Sequence, residues 1–295
     1  MTEGENEVDP VICGQRIVAE TTEQQQITPI FATTDTNYEL YVQTLSGFRV
    51  WRDGVEVESA EWKREKSLHL FQFLVTMRQQ TARMHKEQII DYLWPEVDTD
   101  IGNQNFKVAL HALNKVLEPK RKPRSDPRFV QRHDLTYSLN MDSIWIDSDS
   151  FEKSVIAGNQ AIAENNIQAA TQYYQNALAL YQGDYLPERR YEDWSSAERE
   201  RLQILALGMM TILADLVVDV SPLESIRLTQ RVLSIDPIWE DAYRTQMRAY
   251  LAQGNRPMAI RTYQQCEEAL ERELGISPLP ETQKLFQQIT GIGQK

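Results

Sequence analysis

The sequence predicts a mainly α-helical chain in which a small α+β unit comes first and an all-α unit of repeated helix pairs follows. Three observations predict this. Runs of β-branched and aromatic residues with strand-like alternation are confined to two short regions, residues 40–57 and 128–139. Apolar residues at helical spacing fill the interval between those regions and almost all of the chain beyond Phe151. Finally, Leu213, Val217, Ser225, Ile226, Val232 and Asp236 lie 34 residues before Met247, Leu251, Ala259, Ile260, Cys266 and Leu270. A period of that length belongs to tetratricopeptide helix pairs, which stack to leave a concave binding surface.

Composition bounds the reading. At 295 residues the chain can hold two domains of ordinary size. No apolar run approaches the roughly 20 residues that a membrane span needs, and the acidic, polar stretch Met1–Pro10 is unlike the basic start of a secretory signal. Cys13 and Cys266 are far apart and match no metal-ligand spacing, so a reducing cytoplasm is expected and a disulfide framework is excluded. The net charge of -12 argues against indiscriminate coating of nucleic acid, yet it is unevenly spread. Residues 1–38 carry one basic and seven acidic side chains, whereas Asn105–Arg132 holds eight Lys or Arg against only Glu118 and Asp126. Positive charge is therefore concentrated at one place.

Taken in order, residues 1–38 show no sustained period and read as a mostly disordered acidic tail, whose functional alternative is a decoy for the basic patch. Strand character then appears at Leu40–Leu45, Phe48–Trp51 and Val55–Val57, with Arg52-Asp53-Gly54 as a tight-turn signal. Helical spacing begins near Trp62, with Leu68, Phe71, Leu74 and Val75 on its apolar face and Lys63, Arg64 and Lys66 at its start. A second helix begins near His85 and is stopped by Pro95; a polar loop from Glu96 to Gly102 leads to a third at Asn103–Pro119. There Phe106, Leu110, Leu113 and Leu117 ask for a core, while Lys107, His111 and Lys115 repeat every four residues on the opposite face. After a basic loop, Arg128–Arg132 and Thr136–Leu139 form a hairpin. Sheet, three helices and hairpin is the order of a winged helix, whose third helix enters the major groove while the hairpin meets nearby phosphates.

The segment Leu40–Leu139 resembles the OmpR/PhoB-type winged helix, with Ile90-Asp91-Tyr92-Leu93-Trp94-Pro95 and Leu113-Asn114-Lys115-Val116-Leu117-Glu118-Pro119 in the family's places. The remainder resembles the bacterial transcriptional activation domain of SARP-like activators. The matching motifs are Ile146–Phe151, Leu180–Pro187, Trp194 with Glu198-Arg199-Glu200-Arg201-Leu202, and Glu273–Pro278 followed by Pro280-Glu281-Thr282. Three segments are thus expected: a tail over 1–38, a winged helix over 39–146 that folds alone, and a helical activation domain over 147–295.

The resemblance implies a DNA-binding transcription activator whose repeat domain supports dimerisation or contact with RNA polymerase or another protein, at operators containing direct repeats. It places Gln104, Lys107, Val108, His111, Ala112 and Lys115 on the groove-facing side of the third helix, with Arg132 and His133 on the wing. Lysines can neutralise phosphates or reach guanine, and Gln104 suits adenine. The helix departs from the family in lacking Arg, with Asn114 and Lys115 standing where Arg is common, and the hairpin lacks the glycines usual at its turn. No cofactor is expected. Catalytic motifs are missing: there is no glycine-rich phosphate cradle, no His-Glu-x-x-His and no Gly-x-Ser-x-Gly. The scattered His69 and His85 read as structural or surface residues, and Asp147 and Asp149 as helix-surface carboxylates that cap the next helix. The rival reading is an interaction scaffold whose winged helix has lost DNA affinity, favoured by the Arg-poor helix and opposed by the basic patch.

Overall fold

The computed structural model describes residues 38–291. The acidic tail read at 1–38 lies outside the described residues apart from Tyr38. The first sheet is built from β1 (Leu40–Gln43), β2 (Arg49–Arg52) and β3 (Val55–Glu56), all antiparallel. Asp53 and Gly54 connect β2 to β3 with φ of 52° and 79°. Two central residues with positive φ match the twist of a two-residue hairpin, which is why Asp-Gly was informative. A fourth strand, β7 (Ile144–Ile146), joins β1 in parallel. Three residues are too few to display alternation, and a parallel partner is separated from β1 by the whole intervening unit. Leu40 and Val42 point into the core, and Tyr41, Trp51 and Trp145 cluster on the other face.

Between these strands lie α1 (Glu65–Met77), α2 (Lys86–Leu93) and α3 (Thr99–Leu117). The short β4 (Met84–His85) and the hairpin β5 (Val130–His133) and β6 (Thr136–Leu139) form a second sheet in the order β4-β6-β5. Helix α1 begins three residues later than its periodicity suggested, after a turn of 3₁₀ helix at Ser59–Glu61. Helix α3 begins earlier, at Thr99, so more than half of the expected loop at Glu96–Gly102 is helical. Gly102 hid this start, because its place is set by contact: a Cβ there would stand 2.7 Å from Ile90 Cγ2. Helices α2 and α3 meet at that point. His85 caps α2, accepting from Glu87 N at 3.3 Å.

The rest of the described residues are mainly helical: α4 (Asp147–Ala163), α5 (Ile167–Leu180), α6 (Asp193–Leu216), α7 (Pro222–Ile235), α8 (Glu240–Ala252), α9 (Arg256–Leu274) and α10 (Pro280–Thr290). Helices α4 with α5, α6 with α7, and α8 with α9 pack as successive pairs. The 34-residue repeat falls on equivalent places of these pairs, since Ser225 and Val232 of α7 are buried like Ala259 and Cys266 of α9. Proline opens α7 and α10 at their first residue, where its missing N–H costs nothing.

No linker separates the two units: α4 starts at the residue after β7. Asp147, fully buried, accepts hydrogen bonds from Thr44 N (2.8 Å), Thr44 Oγ1 (2.6 Å), Leu45 N (2.9 Å) and Ser148 N (2.7 Å). The segment after α5 returns to the same loop, with Ser46 N bonded to Asp184 O and Leu186 N to Thr44 O, both at 2.9 Å. Helix α1 is gripped along its length. Gln72 donates to Glu188 at 2.8 Å and accepts from Arg189 at 2.7 Å. Thr76 meets the Tyr185 hydroxyl at 2.9 Å, and Arg78 pairs with Asp149. Trp194 of α6 packs on Phe73, with ring centroids 5.5 Å apart. One continuous apolar core thus runs from Leu40 to Ala242.

His69 lies inside this joint. Burial, with the Arg189 and Lys66 charges, lowers its imidazole to about 3. Glu192 Oε1, 3.3 Å away, pulls the other way, but that carboxylate is partly solvated and already accepts from Trp194 Nε1. Burial dominates, and the ring is neutral.

Three outcomes are expected. Asp147→Ala would leave three backbone N–H groups without acceptors and should destabilise the chain by about 2–5 kcal/mol, measured by denaturant unfolding. Gly102→Ala, ordinarily a stabilising change within a helix, should here cost about 1–3 kcal/mol, because the methyl group has no room against Ile90. His69 takes up a proton in the unfolded chain near 6.5 but not in the fold, so its contribution is complete above that pH and is lost as the pH falls toward 3. His69→Leu should therefore lose less stability than the parent between pH 7 and 4.5, and equal losses would show that the ring charges within the fold.

Candidate nucleic-acid interface

Helix α3 is held from three sides. Phe106, Ala109, Leu113 and Leu117 are buried toward the core, and Leu110 is half-buried at the edge of that seam. Arg52 of β2 donates to Val116 O and to Glu61 Oε2, the latter at 3.1 Å, fixing the C-terminal turn against the sheet. At the other end Lys66 Nζ donates to Leu93 O at 3.0 Å and lies over the Trp94 ring, bracing the α2–α3 connection. Beyond the helix, Glu118 accepts from Arg128 N at 2.9 Å, which folds the basic loop back toward α3.

What remains outward is a polar, cationic face. Gln104, Lys107, His111 and Lys115 are all exposed. Val108 and Ala112 are only half-exposed and sit on its flank; Val108 lines a hollow of about 400 Å³ with Arg64, Lys66 and Trp94. The sequence pattern did not separate flank from centre, because neighbouring rows on a helix are only 100° apart.

The wing is a tight hairpin. Its turn has Asp134 at φ 56°, a left-handed conformation that a short polar side chain tolerates where glycine is absent. Arg132 is exposed, and its Nε donates to Asp134 O at 2.8 Å, so the guanidinium is held at the tip. His133 is half-buried and faces Ser138 Oγ at 3.2 Å across the hairpin. Met84 and His85 pair with Tyr137 and Thr136, which ties the wing to the start of α2. Between α3 and the wing lies a groove of about 430 Å³, bordered by Lys86, Lys107, His111 and Arg132.

Lys86 and the cations at the start of α1 add to the site beyond the residues that the sequence pattern identifies. Lys63, Arg64 and Lys66 were visible as a basic cluster, but only the fold brings Arg64 and Lys66 beside Val108. Among the described residues no group of three or more His, Cys, Asp or Glu could hold a metal ion, and no helix is long and apolar enough to cross a membrane.

The chain is similar in structure to Mycobacterium tuberculosis EmbR, solved in complex with a low affinity phosphopeptide, with a TM-score of 0.73 and 20% identity over 86% of this chain and 65% of that one. It therefore spans slightly less than two thirds of that chain, and the likeness is one of fold. The TPR2B domain of yeast Sti1, in a complex with pHsp70, matches at a TM-score of 0.34 and 15% identity over 48% of this chain and 98% of that one, which is too low to carry an argument. No curated protein matches the sequence. Residues 146–290, just under half of the chain, match the family described as the bacterial transcriptional activator domain.

Proposed function

We propose that the protein is a cytoplasmic, sequence-specific DNA-binding transcription regulator, an activator, and not an enzyme. The observation that carries this reading is the outward face of α3, where Gln104, Lys107, His111 and Lys115 stand exposed beside a wing tipped by Arg132. In this reading α3 enters the major groove, a few of its side chains meet base edges, and the lysines with Arg132 neutralise phosphates and set register. Val108 and Ala112, on the flank, offer apolar contact to a thymine methyl, and His133 supports the wing through Ser138. The helical repeat supplies a protein-binding face for RNA polymerase, another protein or a second copy in a homodimer. A match to an activator domain over residues 146–290 supports the regulatory half of the reading.

The test is a titration of the full chain against duplexes selected from genomic fragments and against scrambled controls, at several salt concentrations. Lys107→Ala, His111→Ala and Lys115→Ala should leave the thermal transition nearly unchanged, since these side chains are exposed. A member that reads a base should lose roughly 1–3 kcal/mol at the selected site and narrow the gap to scrambled DNA. Arg132→Ala should weaken all duplexes alike and reduce the salt slope by about one ion. If the parent shows no preference for selected DNA and the triple variant behaves identically, the scaffold reading takes its place.

A further inference from the structure

The contacts proposed for α3 and the wing leave out the most cationic stretch of the chain, the loop that joins them. Lys120, Arg121, Lys122, Arg124 and Arg128 fall within nine residues. So much like charge repels itself and opens a loop unless the backbone is braced. Glu118, the C-cap of α3, provides the brace: its carbonyl accepts from Arg121 N at 3.1 Å and its carboxylate from Arg128 N at 2.9 Å, which ties both ends of the loop to the helix. Inside it, Lys122 O accepts from Ser125 N at 3.2 Å and from Ser125 Oγ at 2.8 Å. Two of the five cations are engaged, Arg121 with Ser125 O at 3.3 Å and Arg128 with Glu39. Lys120, Lys122 and Arg124 are exposed, and among the described residues none of them forms an ion pair.

The loop borders the proposed interface. Asp126 and Pro127 line the groove between α3 and the wing together with Lys107, His111 and Arg132. Charge along α3 is polarised as well: Glu96, Asp98 and Asp100 are exposed around its start, whereas Lys115 and the unpaired cations of the loop lie at its end. The helix has 19 residues, about 28 Å at ~1.5 Å per residue. A straight rod of that length, seated in a major groove about 12 Å wide that curves away from it, crosses a phosphate strand at one end. The signs of charge select the C-terminal end. We infer that the loop from Lys120 to Arg124 is an anchor for DNA phosphates, placed outside the base pairs that α3 faces. This deepens the DNA-binding reading and rests on it. Lys120, Lys122 and Arg124 each neutralise one phosphate of the strand that passes the end of α3, and the Glu118 brace fixes where that strand lies relative to the helix. Charge alone would also attract an acidic protein segment; the border shared with Lys107 and Arg132 favours DNA.

The test compares the full chain with a triple variant, Lys120→Gln, Lys122→Gln and Arg124→Gln, which alters only exposed side chains and should leave the thermal transition unchanged. Both are titrated with selected and scrambled duplexes between about 50 and 200 mM salt. The variant should bind either duplex more than about tenfold more weakly at the lower salt, and its slope of log affinity against log salt should be shallower by about two to three ions. In the parent alone, methylphosphonates replacing the phosphates on one flank of the selected site should reproduce that loss, and the variant should be indifferent to them. Equal salt slopes for parent and variant, or no loss from methylphosphonates on either flank, would overturn the anchor while leaving the DNA-binding reading in place. So would a variant that loses binding to poly-L-glutamate but keeps its affinity for duplex, which would assign the loop to an acidic protein. A parent that prefers no sequence, together with a shallower slope in the variant, would sink the sequence-specific reading and keep the anchor. A parent that binds no duplex overturns both.

Discussion

Asp147 is the constraint on which the arrangement depends. Its carboxylate sits where three segments meet: the turn after β1, the junction of β7 with α4, and the returning strand of chain around Tyr185. Burial raises the group to about 6, and the Thr44 hydroxyl with the backbone N–H groups of Leu45, Thr44 and Ser148 pull it back toward ionisation. An acceptor with two oxygens is needed because the donors around it are backbone groups that cannot turn away. A small apolar residue would satisfy the packing and fail the polar accounting.

The position of that knot decides how the two halves can communicate. Helix α1 contacts α3 on one side and the Tyr185–Trp194 segment on the other. Gln72 and Thr76 of α1 and Arg78 at its C-cap each have a partner beyond residue 146. A shift of the helical repeat relative to the sheet must therefore break buried hydrogen bonds or carry α1 and α3 with it. Interfaces packed in this way move between discrete arrangements and do not deform gradually. The surface of the helical repeat is thus mechanically continuous with the outward face of α3.

Much of this was legible in the sequence wherever the signal was local. The Asp53-Gly54 turn, the apolar seam of α3, its cationic face and the 34-residue period of the repeat all follow from spacing within one element or two neighbours. The illegible features are those fixed by partners far along the chain. Strand β7 is three residues long and is recognisable only by its pairing with β1. Strand β4 is two residues and exists through Tyr137 and Thr136. Asp147 and Asp149 were read as caps of the following helix; Asp147 does accept from Ser148 N, but its other donors lie more than a hundred residues away, and Asp149 is committed to Arg78. The centre of the α3 face was legible, whereas its flank, with Val108 beside Trp94, was set by the packing of α1 and α2.

Charge gives the face of α3 a particular character. The chain as a whole carries -12, so a polyanion is repelled except where the local field reverses, and the proposed DNA binding would be productive only with α3 and the wing leading. Such a distribution disfavours loose sliding contact, which relies on broad positive surface. On the proposed reading it would put a greater share of binding on Arg132 of the wing and on the outward groups of α3, which are Lys, His and Gln, since α3 has no Arg. A lysine is a flexible point charge and lacks the planar fork that reads guanine with two parallel bonds. Discrimination by this face must then come from where the helix is placed more than from the strength of any one contact. That returns the burden to Arg52, Gly102 and Lys66, the residues that fix α3 in its seat without touching its outer face.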